Sequence, residues 1–155
     1  MAEIAAWAKD RGMTYMDMLK DIYLTYGYSH EVGVSVVRPG KTGADEIKAM
    51  MVNFRANPPK SIGGSVVVAI KDYTTLENKD LRTGVITKMV FPDTSNVLQY
   101  YTEDGTKVSV RPSGTEPKIK FYIEVNGKMD SVADYDRCGR DAEAKVEAVK
   151  KDLSI

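Results

Sequence analysis

The chain has 155 residues, 43% of them hydrophobic, so it can form one domain with a substantial core. Lysine plus arginine and aspartate plus glutamate number 22 each, so no net charge favours nucleic acid or an anionic membrane. The single cysteine excludes an internal disulfide, and one cysteine with one histidine argues against a transition-metal site. No apolar run has membrane-spanning length and no leader opens the chain, which predicts a cytoplasmic protein.

Two short helices are predicted at the N-terminus. The first covers residues 1–11, stops at Gly12 and lacks an N-cap, and this abrupt start indicates a piece of a longer protein. Thr14 caps the second helix with Asp17 three residues on, and Gly27 ends it. Two such helices cannot bury their aromatic side chains alone.

Beyond the helices, β-branched runs and apolar spacing predict alternating strands and helices. Strands are expected at residues 32–37, 66–70, 97–101, 107–111 and 118–125, and helices at residues 44–57 and 131–153. The dipeptide Asp104-Gly105 predicts a hairpin, whereas the polar residues 72–93 are hard to read and have room for a short strand at 85–90. The sequence therefore predicts an α+β fold, an antiparallel sheet of about four to five strands packed against two helices.

Alternation in the last two strands predicts one buried and one polar face. The buried face carries Val108, Val110, Ile119, Phe121, Ile123 and Val125. The polar face carries Ser109, Arg111, Lys118, Lys120 and Tyr122, so basic side chains are expected on one open surface.

The loop between these strands has a composition suited to an anion. It reads Arg111-Pro112-Ser113-Gly114-Thr115-Glu116-Pro117. The prolines confine the free N–H groups to residues 113–116, and Gly114 permits a positive φ and close approach to the backbone. Arg111 can bind phosphate oxygens bidentately, while Ser113 and Thr115 can each donate a hydroxyl. The same residue types also make ordinary turns, so composition alone leaves both readings open.

The loop resembles the phosphate-binding loop in the C-terminal domain of the phosphohexomutases, the phosphoglucomutase/phosphomannomutase family. Residues 95–99, Ser-Asn-Val-Leu-Gln, and residues 58–64, Pro-Pro-Lys-Ser-Ile-Gly-Gly, are similar to the longer phosphoglucomutase branch. The resemblance covers nearly the whole chain. It implies a sheet like that of the TATA-box-binding protein, a helical tail of the preceding domain plus a hinge over residues 1–30, and a phosphate-binding domain over residues 31–155.

The resemblance also implies an activity for the longer protein. A phosphohexomutase moves a phosphoryl group between the 1- and 6-positions of a hexose phosphate, with a phosphoserine, Mg²⁺ and glucose 1,6-bisphosphate as intermediate or activator. By resemblance, the substrate phosphate is held by Arg111, Ser113, Gly114 and Thr115, with Glu116, Lys118 and Lys120 as secondary candidates.

Large parts of the family's machinery do not occur in these 155 residues. We find no catalytic-serine loop, no triple-aspartate metal loop and no Gly-Glu-Glu sugar loop, so no catalytic or metal-binding residue is assigned. The isolated chain is expected to be inactive and to depend on three further domains, closing over a hexose phosphate about a hinge near residues 28–31. Neither nucleic acid nor membrane is expected as a partner.

Other motifs are weaker, and two further functions stay open. The triplet at residues 40–42, Gly-Lys-Thr, lacks the P-loop's upstream glycine, and the acidic pair Asp134 and Asp136 lies on a helix rather than in a metal loop. His30 has no catalytic partner nearby in sequence, and Cys138 falls on a buried stripe. The alternatives are another sugar-phosphate mutase, such as a phosphomannomutase, and a stand-alone α+β binding module.

Overall fold

A computed structural model describes residues 2–155. The four α-helices are α1 (Ala2–Asp10), α2 (Tyr15–Tyr26), α3 (Gly43–Ala56) and α4 (Tyr135–Leu153), the last preceded by a 3-10 turn at Val132–Asp134. The strands are β1 (Tyr28–Val37), β2 (Ser61–Ile62), β3 (Ser65–Asp72), β4 (Glu77–Asp80), β5 (Ile86–Lys88), β6 (Leu98–Thr102), β7 (Lys107–Pro112) and β8 (Lys118–Gly127). Met1, the start of the first predicted helix, lies outside the described residues.

All strand pairs are antiparallel, and the sheet order is β1-β8-β7-β6-β3-β4-β5, with β2 paired to β3. The predicted α+β class and the antiparallel sheet are confirmed. The predicted strand number is wrong, because the sheet has eight strands rather than four to five.

The extra strands come mainly from the segment that was hardest to read. β4 has the sequence Glu-Asn-Lys-Asp, which shows no apolar alternation, yet it pairs with β3 on one side and β5 on the other. Glu77 lies directly opposite Lys88, whose Nζ is 2.9 Å from Oε1 of Glu77. Backbone pairing and cross-strand charge thus form a strand that a hydrophobic pattern cannot reveal.

One face of the sheet forms the core beneath α3 and α4. The six apolar residues predicted on the inner face of β7 and β8 are all buried, and Leu98 and Tyr100 of β6 join them. From α4, the buried stripe is Cys138, Ala142, Val146, Val149 and Leu153. The opposite face carries half-exposed or exposed polar side chains, so the two-sided sheet expected from alternation is confirmed.

The N-terminal helices attach to this layer through aromatic rings. The predicted cap of α2 is confirmed, since Thr14 and Asp17 form a capping box. Tyr23 of α2 packs on Tyr28 of β1 and Tyr135 of α4, with ring centroids 4.7 and 6.2 Å away. Residues 28–31, the predicted hinge, form the first part of β1, which begins at Tyr28 rather than at residue 32. The domain boundary at residue 30 stays a prediction.

Candidate functional site

The loop at residues 113–117 joins β7 to β8 and is held at both ends by backbone hydrogen bonds. The N–H of Ser113 donates to the carbonyl of Lys118 at 2.8 Å, and the N–H of Lys118 donates to the carbonyl of Glu116 at 2.7 Å. The N–H of Arg38, just after β1, donates to the carbonyl of Pro117 at 2.9 Å. The loop is therefore attached to three strand ends, which limits its freedom before any ligand binds.

Gly43, the first residue of α3, brings the helix against this loop. A Cβ at Gly43 would lie 1.7 Å from the carbonyl oxygen of Arg38 and 3.3 Å from Cβ of Pro117. No larger residue fits without moving backbone. The start of α3, the end of β1 and the loop consequently pack as one unit.

The loop keeps several donors unused. Within residues 2–155, no hydrogen bond is recorded for the N–H groups of Gly114 and Glu116, while that of Thr115 makes only a long contact of 3.5 Å to Oγ of Ser113. The positive φ allowed for Gly114 from sequence is not adopted, and a Cβ there would meet nothing within 4 Å. Gly114 thus leaves the backbone open to approach, which is how a loop accepts an anion.

Arg111 and Lys120 place two positive charges side by side at the end of the sheet. They are direct cross-strand partners on β7 and β8, and on the other side Lys120 pairs with Ser35 of β1. Neither cation has an ion pair anywhere in the described part of the chain. Like charges directly opposite each other are destabilising, so this pair is a natural place for an anion.

Lys118 and Glu116, two other predicted site residues, neutralise each other. Nζ of Lys118 lies 2.5 Å from Oε2 of Glu116. The hydrogen bond from Lys118, aided by its charge and that of Lys120, lowers the pKa of the Glu116 carboxyl. Glu116 therefore stays ionised, and Lys118 contributes less free positive charge than Arg111 or Lys120.

A cleft of about 450 Å³ separates the loop from the first turns of α3. Its lining includes Ser113, Gly114, Thr115 and Glu116, whereas Arg111, Lys118 and Lys120 are not part of it. The structure thus brings the loop residues together around the cleft and leaves the basic pair beside it, on the sheet. The remaining lining residues are Gly40, Ala44, Ile47, Lys48, Asn96, Pro112 and Pro117.

Sequence reasoning did not assign Lys48 or Asn96 to the site. Lys48 lies on the exposed side of a predicted helix, where lysine is ordinary. Asn96 belongs to the segment Ser-Asn-Val-Leu-Gln, which signalled only the family resemblance. It reaches the cleft because β6 begins beside β7, a proximity that pattern reading does not give.

Arg55, near the end of α3, holds Asn96 in place. Its Nη2 donates to Oδ1 of Asn96 at 2.7 Å and to Oγ1 of Thr74 at 2.9 Å. Its Nε donates to Oδ2 of Asp72 at 2.9 Å, in an ion pair whose side chains are 26% and 17% exposed. One guanidinium therefore ties α3, β3 and the segment before β6 together.

The residues to which the sequence analysis assigned no function lie in secondary-structure elements or make contacts within the fold. His30 lies within β1, and Oδ1 of Asp134 pairs with Arg137 at 3.0 Å. The buried thiol of Cys138 lies 3.4 Å from the carbonyl oxygen of Lys128. Across residues 2–155, no three or more His, Cys, Asp or Glu side chains cluster so that they could hold a metal ion. In the same range, no helix is long and apolar enough to cross a membrane.

These features, an antiparallel α+β sheet ending in an anion-suited loop, agree with the comparison to known proteins. Residues 31–137 match the family model described as "Phosphoglucomutase/phosphomannomutase, C-terminal domain". The chain belongs to this family, which confirms the resemblance.

The curated relatives are phosphoglucomutases. One from Staphylococcus aureus (strain bovine RF122 / ET3-1) is 40% identical over 123 residues, which cover 79% of this chain and 22% of the relative. Another from Staphylococcus haemolyticus (strain JCSC1435) is 36% identical over 118 residues, 76% of this chain and 21% of the relative. The chain thus spans about a fifth of their length.

A solved structure, the open form of the exocytosis-sensitive phosphoprotein pp63/parafusin from Paramecium, covers 92% of this chain. The match takes up 24% of that chain, at 13% identity and a TM-score of 0.40.

Proposed function

We propose that this chain is the domain of a phosphohexomutase that binds the phosphate group of the substrate that is not reacting. The observation that carries the proposal is the unpaired Arg111–Lys120 couple beside a loop with free N–H groups on Gly114 and Glu116. An anion there would accept from both cations and from the loop, relieving the repulsion between the cations.

The proposed substrate is a hexose phosphate, with glucose 1-phosphate and glucose 6-phosphate as the interconverted pair. Glucose is chosen because the curated relatives are named phosphoglucomutases. A phosphate held by Arg111, Ser113, Gly114 and Thr115 would position the opposite end of the sugar for reaction elsewhere in the longer protein. Binding energy at a remote group can in this way lower a barrier without chemistry at the site itself.

The chemical step is assigned to other domains of the longer, cytoplasmic enzyme. Mg²⁺ would also bind there, and no step in the present chain depends on it. The isolated chain would accordingly bind weakly and catalyse nothing. Three or four charge-assisted hydrogen bonds contribute roughly 1.5–3 kcal/mol each, against about 4–15 kcal/mol for association, which leads us to expect millimolar affinity.

The test is a backbone-amide NMR titration of the 155-residue chain with glucose 1,6-bisphosphate. The amides of residues 113–116 should shift and saturate in the millimolar range, and Arg111→Ala should abolish the saturation. Arg82→Ala is a matched control, because Arg82 is exposed and pairs with Asp80 on the β4–β5 hairpin. The same sample should not convert glucose 1-phosphate.

Two results would contradict the proposal. If Arg111→Ala and Arg82→Ala bind the bisphosphate equally well, Arg111 is not part of the site. If only residues outside the loop shift, the bisphosphate binds elsewhere on the chain. The second would favour the stand-alone binding module. Comparing glucose and mannose 1-phosphates with the longer enzyme would separate a phosphoglucomutase from a phosphomannomutase.

A further inference from the structure

We infer that Asn96 is a further ligand-binding residue of the cleft, donating its side-chain N–H to a phosphate oxygen, and that Arg55 is the residue that positions it. The inference rests on the proposed function, because the cleft that Asn96 lines is also lined by loop residues 113–116 of the proposed phosphate site, whereas Arg111 and Lys120 lie beside that cleft. It concerns residues outside the loop, on the segment before β6 and on α3.

The hydrogen bond between Arg55 and Asn96 fixes the orientation of the amide. A guanidinium can only donate, so the partner atom at 2.7 Å from Nη2 must be the carbonyl oxygen Oδ1. The amino group Nδ2 then lies on the other branch of the planar amide. The amino group makes no hydrogen bond within residues 2–155, so both of its protons are free for a ligand.

Arg55 is itself well anchored. Asp72 and Thr74 bind its other N–H groups, and the backbone of Ser95 is fixed by a bond from its N–H to the carbonyl of Tyr73 at 3.1 Å. Asn96 is therefore held from both its side chain and its preceding residue. A donor that is oriented before binding loses little entropy when a ligand arrives.

The neighbourhood of Asn96 favours an anionic acceptor. The cleft it lines is also lined by Ser113, Gly114 and Thr115, and by Lys48 from α3. The one acidic side chain in the lining, Glu116, already pairs with Lys118. Lys48 pairs with Asp45 at 3.4 Å, so the donors left open are the loop N–H groups and the Asn96 amide, and an oxygen-rich anion matches them.

The experiment follows the side-chain amide of Asn96 directly. Its two proton–nitrogen cross-peaks are recorded while the 155-residue chain is titrated at constant ionic strength with inorganic phosphate, and separately with glucose. We expect the Asn96 cross-peaks to shift with phosphate, together with the backbone amides of residues 113–116, and not to shift with glucose.

Asn96→Asp is the most informative variant. The new carboxylate still accepts from Arg55, but its second oxygen replaces a donor with a negative charge. Apparent phosphate affinity should fall by at least about tenfold, and by about two- to tenfold in Asn96→Ala, the loss of one hydrogen bond. Asn126→Asp is the matched control, because it adds the same charge on an exposed residue at the end of β8 away from the loop and should leave the affinity unchanged.

The positioning role of Arg55 is tested by non-additivity. Arg55→Lys keeps the charge but loses the planar fork, so it should weaken phosphate binding in the wild-type background. In the Asn96→Ala background it should cause no further loss. An equal loss in both backgrounds would show that Arg55 acts independently of Asn96.

The outcomes separate the two proposals. The inference would be overturned, and the proposed function left standing, by one combination of results. In it, the loop amides shift, the Asn96 cross-peaks do not shift, and Asn96→Asp binds phosphate with wild-type affinity. Asn96 cross-peaks that shift with glucose alone would overturn the assignment of a phosphate oxygen. No response from the loop or from Asn96 would overturn both proposals for this chain.

Discussion

Replacing Gly43 by alanine tests whether the start of α3 and the loop form a rigid unit. The added Cβ would lie 1.7 Å from the Arg38 carbonyl oxygen, where real contacts essentially never fall below 3.0 Å. Backbone must therefore move by more than about 1 Å in a closely packed region. Because the displaced carbonyl belongs to the residue that bonds Pro117, the strain should reach the loop.

The size of the effect follows from overpacking. Forcing one extra carbon into a packed region costs about 1–3 kcal/mol of unfolding free energy. For a chain of this length each 1 kcal/mol lowers the melting temperature by about 2–4 °C, so Gly43→Ala should melt about 2–12 °C below wild type. Thermal unfolding followed by circular dichroism measures this, and NMR should show displaced amides at residues 113–116.

Gly33→Ala is the control for this prediction. Gly33 lies in β1, has no positive φ, and a Cβ there would meet nothing within 4 Å. It should melt at or slightly above the wild-type temperature, since alanine restricts the unfolded chain. If Gly43→Ala and Gly33→Ala melt together, the close approach at Gly43 yields without cost and the reasoning is refuted.

Two further predictions concern stability. Burial alone would raise the pKa of Asp104, but hydrogen bonds from Lys145, Thr102 and Thr106 outweigh burial and lower that pKa. The ionised Asp104 carboxylate therefore stabilises the fold above the unfolded pKa of about 3.9. This stabilisation is lost as the pH falls through the folded pKa. Acid unfolding of Asp104→Asn should consequently be shallower below about pH 4 than that of wild type, and parallel curves would contradict this. Tyr100→Phe should lower the unfolding free energy by about 0.5–1.5 kcal/mol, because it removes the partly buried 2.9 Å hydrogen bond from the Tyr100 hydroxyl to the Phe54 carbonyl. Unchanged urea denaturation would contradict this prediction.

The sequence was sufficient to predict the strands and helices whose buried apolar residues recur at a regular spacing. The strands carrying Val108 and Phe121 were predicted because alternate residues face the core, and α4 because its stripe repeats at helical spacing. β4 was not predicted, because its four polar residues are held by neighbouring strands rather than by burial. Pattern reading detects burial, and β4 depends on pairing instead.

The candidate site divides in the same way. The loop could be proposed as a site from sequence because Ser113, Gly114 and Thr115 are contiguous, so their chemistry is visible in one stretch. Asn96 is distant from the loop in sequence and shares a cleft with it only through sheet order, while Arg55 reaches Asn96 only through the packing of α3. That Arg111 and Lys120 lie opposite each other without an ion pair within residues 2–155 likewise becomes visible only once the cross-strand register is known.

On the proposed function, the pair Arg111 and Lys120 would link folding to anion concentration. An anion that binds the native state and not the unfolded chain stabilises the native state by about 2.7 kcal/mol at a ligand concentration one hundred times the dissociation constant. A chain optimised for stability alone would place a glutamate or threonine opposite Arg111. If phosphate binds as proposed, this end of the sheet exchanges some stability of the empty domain for affinity, and the most thermostable replacement at Lys120 should bind phosphate worst.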